Sequence, residues 1–169
     1  MTGPVAEAFS GGYSGQGFTL RGDKGRFTLP PAFRKAVAQS SDDKLLCLAK
    51  HERWNCLTGF GLSRQTELMA QIDREEEIAL TRDRDFDRDM RQSQLFGFSR
   101  LPFDTSGRFV MPDHLVQLGK LEDGVFFQGA GSFFTLWNPD ELYRMGEGWE
   151  SAQAACRALA EEAGKKRKG

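Results

Sequence analysis

Arg21, Lys24 and Arg26 fall within six residues of one another, around one acid, Asp23, and two glycines, Gly22 and Gly25. Cations this close at a glycine-bearing turn suit phosphate neutralisation. An arginine at the tip of a two-stranded ribbon can also reach a guanine edge in a major groove. From Phe18 to Ser40, five bases (Arg21, Lys24, Arg26, Arg34, Lys35) stand against that single acid. A related stretch, Asp104-Thr105-Ser106-Gly107-Arg108-Phe109-Val110-Met111-Pro112, lies 82 residues further on. With Arg108 set on Arg26, the Gly, Arg, Phe and Pro of the two stretches coincide. From Arg100 to Leu118 the second copy is electrically balanced, with Arg100 and Arg108 against Asp104 and Asp113. The basic copy is therefore the candidate for DNA, through Arg21, Lys24 and Arg26. Asp23, Asp104 and Arg108 are expected to stabilise the turns, Asp104 by pairing with Arg108 and Asp23 by pairing with Arg26.

Other chemistries find little to work with. No nucleophile–base pairing, phosphate-binding glycine loop or metal-ligand spacing stands out, so no catalytic site, metal or cofactor is expected and the chain does not read as an enzyme. Its three cysteines, Cys47, Cys56 and Cys156, lack CxxC spacing, and reduced, structural thiols are the expectation. No apolar run is long enough to span a membrane and no signal peptide is evident, which points to an intracellular protein. The formal charge of -1, from 23 Lys and Arg against 24 Asp and Glu, gives no general pull toward nucleic acid, so any basic surface must be local.

The elements that would position these residues can be read from periodicity. Phe18-Thr19-Leu20-Arg21 and Phe27-Thr28-Leu29 alternate as half-buried strands, joined by the turn Gly22 to Gly25. Pro30-Pro31 opens a helix from Ala32 to about Gln39. Leu45 to Leu48 and Trp54 to Phe60 read as two further strands, and Ser63 as the N-cap of a helix carrying Leu68, Met69 and Ile72. Residues 73–91, with eight acids against five arginines, read as solvated connecting helices.

The second copy repeats this order. Leu101-Pro102-Phe103 and Arg108 to Met111 flank its turn, and a helix from Pro112-Asp113 closes at Gly119. Val125 to Phe127 and Phe133 to Trp137 are strands. Asn138-Pro139 starts a helix, 149–163 reads as a last one, and Lys165-Lys166-Arg167-Lys168 is expected to be a disordered basic tail, solubilising or holding phosphate nonspecifically.

Each copy thus reads as two strands, a short helix, two strands and a helix, a ββαββα unit. Units this small bury too little apolar surface to stand alone, so the two are expected to share a single barrel-like core. The organisation expected is a flexible N-terminal tail (1–12), a first unit (13–62), charged connecting helices (63–92), a second unit (93–140), and a C-terminal helix with a basic tail (141–169).

Over residues 13–145 the tandem motif resembles the MraZ family of bacterial regulators, built from two AbrB-like, swapped-hairpin units. The family motif is Asp, three residues, Arg, with Gly before the Arg and Pro four residues after it. The second copy fits in full, as Asp104, Gly107, Arg108 and Pro112. The first departs, with Gly22 where the Asp should stand and the acid one place late at Asp23. Tyr13-Ser14-Gly15 likewise replaces the usual Phe-Arg-Gly. The resemblance implies an α+β fold with a double-ψ or swapped-hairpin-like barrel core and peripheral helices. It also implies a cytoplasmic, nucleoid-associated transcriptional regulator. As a ring-like homo-oligomer it would bind direct repeats in promoter double-stranded DNA and repress the division and cell-wall gene cluster. Two other readings remain open at this level: an antitoxin-like module that binds a protein, and a structural oligomer with weakened DNA binding.

Overall fold

The computed structural model describes residues 12–168. Residues 1–11 of the expected N-terminal tail lie outside them. Among the described residues, eight strands and six α-helices follow one another. The first unit comprises β1 (Gln16–Leu20), β2 (Arg26–Thr28), α1 (Pro31–Ser41), β3 (Leu45–Lys50) and β4 (Leu57–Phe60). Two connecting helices follow, α2 (Arg64–Thr81) and α3 (Arg88–Phe96). The second unit comprises β5 (Ser99–Pro102), β6 (Arg108–Val110), α4 (Asp113–Leu118), β7 (Gly124–Gly129) and β8 (Phe134–Trp137). The chain ends in α5 (Pro139–Tyr143) and α6 (Glu150–Lys168).

The strands either side of each turn do not pair with each other, as a simple hairpin reading of the sequence suggests. β1 pairs with β7, and β2 pairs with β6. A six-stranded antiparallel sheet runs β1-β7-β8-β4-β3-β5, beside a two-stranded ribbon of β2 and β6. Exchanging β1 with β5, β2 with β6, β3 with β7 and β4 with β8 turns that order into its own reverse, so a local two-fold relates the units. The registers obey it: Phe18 faces Phe126 where the other unit has Arg100 facing Cys47. β1 and β5 are the edges of the sheet, and each runs through its turn into the ribbon. The ribbon therefore joins the two edges of the sheet, and the architecture is α+β with interleaved units around a shared core.

Burial explains the exchange. A hairpin on its own hides little, whereas here Phe27 and Phe109 meet across the ribbon at 6.1 Å between ring centroids, 1 % and 2 % exposed. Beneath them lie Leu29, Phe33, Val37, Leu46, Phe127 and Phe134. A second cluster gathers Cys56, Phe126, Trp137 and Leu142 under Cys156 of α6, with Trp54 and Trp149 against it. Burial pushes the Cys47 thiol up to about 11 and Cys56 to about 12, so both stay neutral and act as small apolar groups.

Three local expectations change. The strand expected from Trp54 begins at Leu57, because His51 Nδ1 accepts the N–H groups of Arg53 and Trp54 and folds residues 51–54 into a turn. Ser63 precedes α2 without a side-chain cap; its N–H donates to Ser40 O instead. The basic C-terminal stretch continues α6 as helix, with Lys165 near Glu161 and Lys166 near Glu162, each at 3.7 Å and four residues apart.

The connecting helices α2 and α3 pack on each other through charge. Arg88 donates to Asp73 at 2.8 Å and to Glu76 at 3.0 Å, and Arg91 bridges Glu75 and Glu52. The Arg91 hydrogen bond is the chief reason that the Glu75 carboxyl sits below its ordinary value.

Candidate nucleic-acid interface

The β2–β6 ribbon is three residues long on each strand, and its alternation sorts the side chains. Phe27 and Phe109 point into the core; Arg26, Thr28, Arg108 and Val110 occupy the other face. Arg26 stands directly opposite Val110, and Arg108 opposite Thr28. Arg26 and Arg108 are therefore diagonal neighbours, on the order of 7–8 Å apart. The register brings the arginine of each copy onto one solvent face. Nothing in the sequence of either copy alone signals this, because it depends on which strands pair.

The turns at the two ends of the ribbon are built differently. In the second copy, Asp104 Oδ1 accepts the N–H groups of Ser106 and Arg108, each at 2.9 Å, and Oδ2 accepts Arg108 Nε at 2.9 Å. The Arg108 backbone hydrogen bond is the main reason this carboxyl lies below the usual carboxylate range. Arg108 uses only Nε in the pair, and its side chain stays 52 % exposed. Gly107 takes φ 84°, a conformation open to glycine. Arg34 of the first unit reaches over it, donating to Thr105 O at 3.2 Å and Leu29 O at 3.4 Å. That cross-unit bridge has no counterpart, because Val116 stands at the position related to Arg34.

In the first copy the same backbone bond closes the turn, Gly22 N–H to Arg26 O at 2.8 Å, matching Asp104 N–H to Arg108 O at 3.0 Å. The carboxylate is missing, since position 22 is glycine. Asp23 does not take its place. Its backbone carbonyl accepts the Arg26 N–H, while its side chain is exposed and forms no ion pair with Arg26 among the described residues. Lys24 and Gly25 both adopt left-handed conformations, φ 60° and 69°. Lys24 is exposed at the tip.

Arg21 is not on the ribbon's outer face. Its guanidinium lies 4.9 Å from the Phe27 ring centroid, on the inward side of the strand, and its Nε is buried without a partner. A β-carbon on Gly25 would come within 3.1 Å of its terminal nitrogen. Arg21 thus packs over the first turn as Arg34 packs over the second. Of the basic residues singled out from the sequence, Lys24 is exposed at the tip, Arg26 is half-buried on the ribbon's outer face beside Arg108, and Arg21 supports the turn from below.

No protein-family model matches the chain. It is similar to proteins named transcriptional regulator MraZ. With that of Parvibaculum lavamentivorans it shares 32% identity over 117 residues, 69% of each chain. With that of Caulobacter vibrioides it shares 31% over 139 residues, 82% of this chain and 80% of the relative. With that of Rhodospirillum rubrum it shares 31% over 120 residues, 70% of this chain and 74% of the relative.

Proposed function

The chain belongs to the family of MraZ transcriptional regulators, and from that premise we propose that it is a sequence-specific DNA-binding regulator whose β2–β6 ribbon meets the duplex. The observation that carries this reading is the shared outer face of Arg26 and Arg108. Two guanidiniums side by side, with Lys24 at the adjacent tip, give phosphate neutralisation and guanine recognition in one short ribbon of the size a major groove admits. Arg108 then has two duties: Nε holds the turn through Asp104, and the terminal nitrogens remain for DNA. Asp104 fixes that geometry, and Arg21 and Arg34 brace the turns.

One ribbon is a weak binder. Arg26 and Lys24 neutralising about two phosphates, with Arg108 shared with Asp104, give a salt slope on the order of -1.8 to -2.7, which is modest for a regulator. A homo-oligomer, ring-like in its arrangement, would present several ribbons at once and raise avidity many-fold on direct repeats of matching spacing. Repression of the bacterial division and cell-wall gene cluster, from the cytoplasm and in association with the nucleoid, completes the proposal. The test is fluorescence anisotropy with a duplex taken from upstream of the protein's own gene and a shuffled duplex of the same composition. Tighter binding to the native duplex is expected. Equal affinity for both would remove sequence-specific regulation and leave at most a nonspecific binder.

A further inference from the structure

The outer face of the ribbon holds a residue that phosphate chemistry does not account for. Val110 is 66 % exposed, directly opposite Arg26. The other large apolar side chains more than half exposed among the described residues, Ile78, Leu80 and Met90, belong to the α2–α3 hairpin. The local two-fold through the Phe27–Phe109 pair maps Arg26 onto Arg108 and Thr28 onto Val110. The arginines match under it and the β-branched residues do not: one carries a hydroxyl where the other carries a second methyl.

Chemistry separates the two positions. Cross-strand β-carbons on such a face lie about 4.5–5.5 Å apart, so Val110 samples the base step beside the one Arg26 reaches. Among base edges in the major groove, the apolar feature is the C5-methyl of thymine. We propose that Val110 is a specificity-determining residue that packs on a thymine methyl next to the guanine taken by Arg26. With Thr28 at the related place, and with Lys24 and Asp104 unmatched at the two tips, it also helps the nearly two-fold ribbon to read DNA in one direction. A symmetric ribbon would bind an element equally in either orientation; this one does not. The inference rests on the DNA-binding reading above.

The test is selection from a randomised duplex library by wild type, Val110→Ala and Val110→Thr, the last matching Thr28 across the two-fold. Wild type is expected to enrich a thymine at fixed distance from a guanine that Arg26→Ala ceases to select. Replacing that thymine by deoxyuridine, which lacks only the methyl, should weaken wild type about four-fold, the worth of one buried methyl-sized group, and weaken Val110→Ala by clearly less. Val110→Thr should enrich a more symmetric element. The proposal is overturned if no thymine shows methyl dependence, or if Val110→Ala keeps the same deoxyuridine penalty. It is equally overturned if the Val110 variants change the oligomeric mass by light scattering while their DNA preference stays that of wild type, since Val110 would then belong to a chain–chain interface. Enrichment of no duplex by wild type would defeat the DNA-binding reading itself, and this one with it.

Discussion

Gly22→Asp should make the protein more stable and its DNA binding less steeply dependent on salt. Gly22 sits at φ -93°, ψ -167°, a conformation open to any L residue. A β-carbon there meets nothing nearer than Arg26 O at 3.8 Å, so the substitution brings no strain. Losing glycine's freedom in the unfolded chain contributes about 0.4–1 kcal/mol. A carboxylate accepting the Lys24 N–H, as Asp104 accepts that of Ser106, is worth about 1 kcal/mol by analogy with an N-cap; the Arg26 N–H already donates to Asp23 O. The left-handed Lys24 costs about 1–2 kcal/mol in wild type and variant alike and cancels. A net gain of about 1.5 kcal/mol raises the melting temperature of a chain this long by roughly 3–6 °C. The new anion also engages Arg26, so the slope of log affinity against log salt should flatten by about one. Thermal unfolding by circular dichroism and anisotropy across a salt series read the two effects separately. An unchanged or lower melting temperature would mean that the first turn cannot take up the carboxylate geometry of the second. That result would refute the reasoning that position 22 can cap the first turn as Asp104 caps the second.

Further outcomes follow from the core, the β3–β4 turn and the C-terminal helix. Phe27→Ala removes a ring that is 1 % exposed and pinned against Phe109. It should cost about 3–5 kcal/mol in chemical denaturation, with Phe109→Ala close behind. Desolvation, helped by Arg53 and Lys50, lowers the His51 pKa from its usual 6.5, and its Nδ1 is occupied by two backbone N–H groups. The neutral form is thus favoured by folding. Its contribution is complete above pH 6.5 and is lost as pH falls below that through the lowered folded value. A melting temperature that declines from pH 7 to pH 5 in wild type, and less so in His51→Gln, would bear this out. Truncation after Gly164 removes the basic end of α6. If that end holds phosphates, the salt slope should flatten by about one for each phosphate it no longer neutralises; an unchanged slope would assign it to solubility.

Much of the fold was legible because it is written in local patterns. The alternation around Phe18 and Phe27, the proline-led helices at Pro31 and Pro112, and the Asn138-Pro139 start are short-range signals, and the 82-residue repeat announced two related units. Strand exchange was legible only through the family resemblance, whose swapped-hairpin core implies it, and not from any local pattern. Whether β1 pairs with β2 or with β7 depends on how much surface the whole arrangement buries, and no window of sequence carries that information. The interface inherits the same limit: Arg26 and Arg108 share a face only because of the β2–β6 register, and Arg34 reaches Thr105 only across the two units. The expected pairing of Asp23 with Arg26 failed for a local reason, since moving the acid by one residue takes its carboxylate away from the N–H groups that Asp104 caps. The helical course of the basic tail was available in the spacing Glu161–Lys165 and Glu162–Lys166, which outweighs the disordering tendency of a charge run.

The central claim is that the outer face of the β2–β6 ribbon is where DNA binds. It is tested most directly by the affinity of Arg26→Ala for the duplex upstream of the protein's own gene, measured beside wild type at one fixed salt concentration. Arg26 makes no ion pair among the described residues, so the fold should not depend on it. The predicted result is at least a ten-fold loss of affinity, equivalent to about 1.4 kcal/mol, with an unchanged melting temperature. Wild-type affinity in a folded Arg26→Ala protein would contradict it.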